Sequence, residues 1–86
     1  MTLTDILNNL NCYTPTKQFL IKGHVHNYNI QPVTVTKRIA LIMITKHFPF
    51  DKQHLYKTSI EKDNYRTKIL LELDENYLEI QHQNKN

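Results

Sequence analysis

The alternation of apolar and polar residues along the chain predicts a small α+β fold. The segment Met1 to Asn11 has apolar residues at helical spacing, and Thr2 can cap a helix together with Asp5, three positions later. The apolar residues of this predicted amphipathic helix are Leu3, Ile6, Leu7 and Leu10. So short a helix does not persist alone in water, and its apolar side must therefore pack against another surface.

A period of two replaces the helical pattern from Gln18 to Tyr28 and predicts a half-buried strand. Its apolar side contains Phe19, Ile21 and Val25, and its polar side contains Lys22, His24, His26 and Tyr28. The segment 27–29 suits a turn, after which Val33 and Val35 alternate with threonines and predict a returning strand. Pro32 has no amide N–H to donate, so this second strand is expected at an edge of the sheet.

The segment Thr36 to Phe48 is apolar on most sides, and both a helix and a central strand fit it. We favour a helix, because Thr36 is an acceptable N-cap, Pro49 provides a stop, and the segment is long for a strand. Either structure would place this segment in the core, and Ile42 is predicted to be buried there.

The clearest alternating pattern lies near the end of the sequence. It predicts an antiparallel hairpin from Arg66 to Gln81, with its turn at residues 74–76 and with Leu71 in the core. The polar segment 83–86 is expected to fray, which leaves residues 1–82 as a single small domain.

The segment 51–61 fits a helix and a strand equally well, and each choice gives a different topology. As a strand, it gives a short helix, a β-hairpin, a central helix and a three-stranded antiparallel meander, which form a two-layer α+β structure. As a helix, it gives an element order that resembles that of a winged helix-turn-helix. In that topology the third helix faces the DNA groove with Lys52, Gln53, His54 and Lys57.

The composition limits the chemistry that the chain can support. Its 86 residues allow one modest core, to which association into a homodimer would add buried surface. The single cysteine, Cys12, cannot form an intramolecular disulfide, and one glycine is too few for a phosphate-binding loop. His24 and His26 share the predicted polar side of a strand, but the sequence places no third ligand beside them. We therefore expect neither a cofactor nor a bound metal.

Charge is distributed unevenly, and this favours an anionic partner for the first part of the chain. Residues 1–50 carry five lysine or arginine residues and one aspartate, for a net charge of +4, whereas residues 51–86 carry six basic and seven acidic residues. The predicted nucleic-acid-binding residues are Lys17, Lys22, His24, His26, Tyr28, Lys37 and Arg38. Nine lysines against two arginines predict weak sequence readout, because arginine supplies the bidentate contact to guanine.

Two other functions compete with a non-catalytic DNA- or RNA-binding module. The first is a protein-binding inhibitor or adaptor that uses an exposed sheet edge or the first helix, through Leu3, Ile6, Leu7 and Leu10. The second is a small metal-independent ribonuclease in which His24 and His26 act as acid and base and Lys22 holds the phosphate. No residue spacing assembles a complete catalytic site, so we consider an enzyme the weakest of these hypotheses.

The hydropathy pattern argues against a membrane protein. The longest apolar run, Ile39 to Ile44, has six residues, whereas a membrane span needs about 20. The first residues also lack the charged and apolar regions of a secretory signal, and we therefore expect a cytoplasmic protein.

Overall fold

Five antiparallel strands form one open sheet, and two α-helices pack against one of its faces. The structure is a computed structural model, which describes residues 1–84. In chain order the elements are α1 (Leu3–Asn11), β1 (Gln18–Val25), β2 (Tyr28–Thr36), α2 (Lys37–His47), a short 3-10 helix (Phe50–Leu55), β3 (Lys57–Lys62), β4 (Arg66–Leu73) and β5 (Asn76–Gln83). The strand order across the sheet is β2-β1-β5-β4-β3. The predicted α+β fold is confirmed.

The segment that fitted both a helix and a strand divides into a 3-10 turn and strand β3. Thr58 and Ile60 are half-buried and alternate with exposed residues, and this period of two pairs β3 with β4. The three-stranded meander is therefore confirmed. The winged-helix alternative is wrong, because the stretch 57–62 is a strand and no long third helix exists within residues 1–84.

Helix α1 begins with the predicted capping box. The Thr2 N–H donates to Asp5 Oδ2 at 2.9 Å, and the Asp5 N–H donates to Thr2 Oγ1 at 3.3 Å. These two bonds satisfy amides that have no partner within a helix. The apolar side of the helix faces inward and is fully buried at Leu3, Ile6 and Leu10.

Helix α2 is confirmed, but it packs through a different side from the predicted one. Thr36 caps it, and its buried residues are Ala40 and Ile44, which lie one helical turn apart. Ile42 lies two positions from each of them and is 53% exposed, so the predicted burial of Ile42 is wrong. The small side chain of Ala40 allows the helix to approach β1 and β2 closely, and this packing sets its rotation.

The first hairpin turns one residue earlier than predicted. β1 ends at Val25, and His26 and Asn27 form the turn with φ values of 50° and 64°. Tyr28 therefore begins β2 opposite Val25, which places both on the helix-covered side of the sheet. The predicted polar side of one strand, with His26 and Tyr28 beside His24, is wrong at these two residues.

The last strand extends further than predicted. β5 continues to Gln83, and His82 is buried on its helix-covered side. Asn84 also holds a fixed position, because its amide N–H donates to Tyr65 O at 2.9 Å and its side chain donates to Asp63 O at 2.6 Å. The predicted fraying is therefore wrong for Gln83 and Asn84, whereas residues 85 and 86 lie outside the described part of the chain.

Between the sheet and the helices lies one continuous hydrophobic core. Its largest sheet residues are Phe19, Ile21, Ile69, Leu71, Leu78 and Ile80. None of the helices in residues 1–84 is long and apolar enough to cross a membrane.

Candidate nucleic-acid interface

The second face of the sheet, which we call the open face, presents polar side chains in rows across the strands. The strand register defines one row as Thr34, Leu20, Gln81, Lys68 and Glu61. The next row contains Lys22, Glu79, Leu70 and Ser59. Residues directly opposite each other on antiparallel strands share a face, so these side chains are true neighbours.

Two pairs of opposite charges lie on the open face. Lys22 Nζ lies 3.5 Å from a Glu79 oxygen, and Lys68 Nζ lies 3.8 Å from a Glu61 oxygen. Exposed pairs of this kind each contribute about 0–1 kcal/mol to stability. The Lys22–Glu79 pair leaves the middle of the open face close to neutral, whereas the Lys68–Glu61 pair lies toward one end of the sheet.

One end of the sheet, in contrast, gathers positive charge from several parts of the chain. This basic end comprises Lys17, Lys37, Arg38, Lys62, Arg66 and Lys68. The Lys37 N–H donates to Lys17 O at 2.8 Å, and Lys17 Nζ donates to Gln83 O at 2.7 Å. Gln83 lies opposite Arg66, and β3 ends at Lys62 beside the start of β4. The strand pairing therefore brings these cations together.

Few acidic residues offset this charge. Glu61 and Asp63 are the acidic residues of the described chain at the basic end, so six cations leave a net charge of +4 there. Backbone N–H bonds from Arg66 and Tyr65 lower the pKa of the Asp63 carboxyl below its ordinary value, which keeps it ionised as part of the β3–β4 turn. Glu72, Asp74 and Glu75 lie at the opposite end of the sheet, near the β4–β5 turn.

A shallow depression of about 580 Å³ marks the open face at the basic end. Its lining includes Lys17, Leu20, Thr34, Arg66 and Gln81. Arg66 also borders two neighbouring depressions of about 320 and 820 Å³. The arginine therefore borders three adjoining depressions at the basic end.

Of the seven predicted binding residues, three lie at the basic end and one lies in the middle of the open face. Lys17 and Lys37 hold their ammonium groups against the backbone oxygens of Gln83 and Tyr13, whereas Arg38 is exposed at the start of α2. Lys22 is the residue in the middle of the open face, paired with Glu79 as described above.

The other three predicted residues lie toward the opposite end of the sheet. His24 is on the open face, with Nδ1 2.6 Å from Asn29 Oδ1. His26 is in the hairpin turn, and Tyr28 is exposed on the helix-covered side. The predicted residues therefore do not form one continuous surface.

Three cations of the basic end were missed by the sequence prediction: Lys62, Arg66 and Lys68. They belong to residues 51–86, whose net charge is negative, and the prediction from net charge therefore did not select them. Arg66 and Lys68 do alternate with buried Thr67 and Ile69, so their position on the polar side of a strand was visible. The pairing of β5 with β1, which brings them beside Lys17, was not visible.

The structure does not assemble the histidines into a site. His24 and His26 lie on different elements and do not share a strand face. The His26 ring lies 6.1 Å from the His47 ring, and burial lowers the pKa of His47, with further lowering by Lys46 and His26. Within residues 1–84, no group of three histidine, cysteine, aspartate or glutamate side chains is placed to hold a metal ion. The ribonuclease hypothesis therefore lacks the histidine pair on which it depended.

The first helix offers no free apolar side to a partner. Leu3, Ile6 and Leu10 have no exposed surface, and Leu7 is half-buried against the core. A partner could reach these residues only by unfolding the helix from the sheet, so the protein-binding alternative now depends on a sheet edge.

His82 is a buried titratable group that the sequence analysis did not identify. Its ring packs edge-on against Tyr13 and Phe19, with centroid distances of 4.8 and 5.1 Å. Nδ1 lies 3.1 Å from the Gln83 carbonyl oxygen, which can only accept, so Nδ1 carries the proton. Nε2 is buried without a hydrogen-bond partner. Protonating it would place a charge where no acceptor is available.

We expect the stability of the protein to fall as the pH decreases below about 6.5, the ordinary pKa of histidine. Burial lowers the pKa of His82 in the folded state, and the nearby charges of Lys17 and Lys62 lower it further, against an opposing effect of the Gln83 hydrogen bond. The unfolded chain therefore takes up this proton first, with a slope of up to about 1.4 kcal/mol per pH unit.

Urea unfolding at pH 7.5 and 5.5 measures this loss, and the variant His82→Phe provides the control. Phenylalanine retains the aromatic packing and cannot titrate, so part of the pH dependence should disappear. If the stability of His82→Phe depended on pH as strongly as that of the original protein, the effect would come from other groups, such as His47.

Comparison with known proteins does not identify a function for this surface. Comparison of the chain with family models, curated proteins and solved structures finds no significant match. Function is therefore inferred from the geometry and charge of the chain itself.

Proposed function

We propose that the protein is a non-catalytic nucleic-acid-binding module that contacts phosphates through its basic end. The observation that carries this proposal is the convergence of six cations from α2, β3, β4 and the segment just before β1 at one end of the sheet, with a net charge of +4 there. Such a concentration of charge attracts the phosphate backbone regardless of sequence.

The side chains around Arg66 on the open face suit a phosphate backbone. Arg66 and Lys68 are two positions apart on β4 and therefore project from the same face. Gln81 lies opposite Lys68 and supplies both hydrogen-bond donors and acceptors. Backbone binding needs this combination of charge and hydrogen bonding.

Weak sequence readout is expected from the same surface. The two central rows of the open face contain the aliphatic residues Leu20 and Leu70 and no aromatic residue on which bases could stack. Tyr65, which is 80% exposed beside the basic end, offers one such platform. The protein would therefore contact the backbone at several points and at most a few bases.

Salt-dependent binding tests this proposal. Fluorescence anisotropy would be measured with labelled single- and double-stranded DNA and RNA between 50 and 200 mM salt. The logarithm of the affinity should fall linearly with the logarithm of the salt concentration, with a slope that reflects about three to five ion pairs. Arg66→Gln combined with Lys68→Gln should weaken binding about tenfold for all sequences and reduce the slope by about two.

A double variant with the same change in net charge serves as the control. Lys52 and Lys57 are exposed and lie away from the basic end, so Lys52→Gln combined with Lys57→Gln should have a much smaller effect. Equal losses in the two double variants would contradict a localised site. Absence of binding to all four nucleic acids at 50 mM salt would reject the function.

A further inference from the structure

The two edges of the sheet differ in their protection against pairing with another chain. Edge strands commonly carry charged side chains that prevent such pairing. β3, at one edge, has three charged residues among six: Lys57, Glu61 and Lys62. β2, at the other edge, has nine residues and no charge. Within residues 1–84, β2 pairs with β1 alone, so the backbone groups on its outer side are available.

An irregularity in the pairing limits how much of this edge a partner can use. Pro32 lacks an N–H, and the register between β1 and β2 shifts between Ile21 and Gly23. The segment 33–36 pairs regularly with β1 beyond this irregularity. An additional strand would therefore pair with residues 33–36, where the backbone of β2 is regular.

Helix α2 adds exposed apolar side chains near this edge. It packs on β1 and β2, the last two strands on this side of the sheet. Ile39 and Ile42 on the helix are 44% and 53% exposed, and Val33 on β2 is 41% exposed. We call these three residues, together with the backbone of 33–36 and the cations of α2, the α2–β2 surface.

The charges of α2 indicate what the partner carries. The helix contains Lys37, Arg38 and Lys46 and no acidic residue. Its first turn holds two of these cations, although the helix dipole favours negative charge at that position. A carboxylate from a partner would therefore interact favourably with both Arg38 and the start of the helix.

We propose that the α2–β2 surface binds an extended acidic segment of a partner protein, which adds to the sheet as a sixth strand beside residues 33–36. The unpaired backbone requires a polypeptide, because neither nucleic acid nor lipid can continue a ladder of backbone hydrogen bonds. A second copy of this chain fits poorly, because pairing two β2 edges would bring two acid-free, positively charged helices together. The α2–β2 surface shares Lys37 and Arg38 with the basic end, but the proposal does not depend on the basic end binding nucleic acid.

Titration of the ¹⁵N-labelled full chain with two synthetic peptides tests the proposal. Both peptides have about eight residues, the length of a typical strand. One alternates glutamate with valine, and the other alternates lysine with valine. The glutamate peptide should shift the amide signals of residues 33–36 and protect from hydrogen exchange those whose N–H points away from β1. The lysine peptide should bind at least tenfold more weakly.

Two matched variants locate the binding surface. Ile42→Asn should weaken binding of the glutamate peptide about tenfold, because it removes exposed apolar surface on α2. Leu55→Asn should change it less than twofold, because Leu55 is similarly exposed, at 52%, but lies on the 3-10 helix.

Four outcomes would overturn the proposal. They are equal binding of the two peptides, signal changes confined to other strands, protection of residues 33–36 by self-association without peptide, and binding of anionic vesicles without binding of the glutamate peptide. Both variants are at exposed positions, so unchanged unfolding curves would confirm that any loss of binding is local.

Discussion

Replacing Gly23 with alanine is expected to lower the free energy of unfolding by about 3 kcal/mol, near the upper end of the cost of overpacking. Gly23 lies in β1 at the centre of the sheet, opposite Leu78 of β5. A Cβ atom added there would overlap the Tyr77 carbonyl oxygen and lie 3.1 Å from Leu78 Cα. Both are backbone atoms of the neighbouring strand, so the strain cannot be relieved by rotating a side chain.

Chemical denaturation of Gly23→Ala beside Ser59→Thr would check this expectation. The control also adds one methyl group to a strand, but Ser59 is exposed on β3, and its variant should stay within about 0.5 kcal/mol of the original protein. A similarly small change in Gly23→Ala would mean that β1 and β5 do not approach each other as closely as the structure shows.

Leu71→Ala is expected to lower the free energy of unfolding by about 2–5 kcal/mol, the usual range when a buried leucine is truncated to alanine. Leu71 has no exposed surface and lies on β4 opposite Leu78, in the layer between the sheet and the helices. The cavity left by the truncation would be bordered by the sheet backbone, which cannot collapse into it easily. Urea unfolding monitored by circular dichroism gives the difference directly.

Ile42→Ala is the matched control, because it removes the same number of carbon atoms from an exposed helix position. Ile42→Ala should lower the free energy of unfolding by less than about 1 kcal/mol. If Leu71→Ala does not fold, the milder Leu71→Val should still be clearly less stable than the original protein. Equal costs at Leu71 and Ile42 would contradict the orientation of α2.

Elements with a strong local pattern were predictable from the sequence. α1 has a capping box and one apolar stripe, and the β4–β5 hairpin has strict alternation on both sides of a polar turn. In each case, neighbouring residues contain the information that selects the structure. The exposed Lys22 could be assigned to the polar side of a strand on the same basis.

Features that depend on distant contacts were not predictable in the same way. The rotation of α2 depends on which side fits the sheet, and its sequence offers apolar residues on almost every side. The segment 57–62 becomes a strand because β4 provides an edge to pair with. The basic end likewise exists only because β5 lies between β1 and β4, a neighbour relation that no local pattern encodes.

The placement of β1 beside β5 also has consequences for folding kinetics. β1 and its neighbour β5 lie near opposite ends of the 86 residues, whereas the β1–β2 hairpin and the β3–β4–β5 meander pair consecutive strands. Each unit alone leaves an apolar face and an unpaired edge, and the two-stranded hairpin is at most marginally stable until the meander pairs with it. Closing the long loop between them costs entropy before its contacts are formed, so we expect the pairing of β1 with β5 to form late in folding. A partly folded chain would expose the edges of β1 and β5 that pair with each other in the finished sheet.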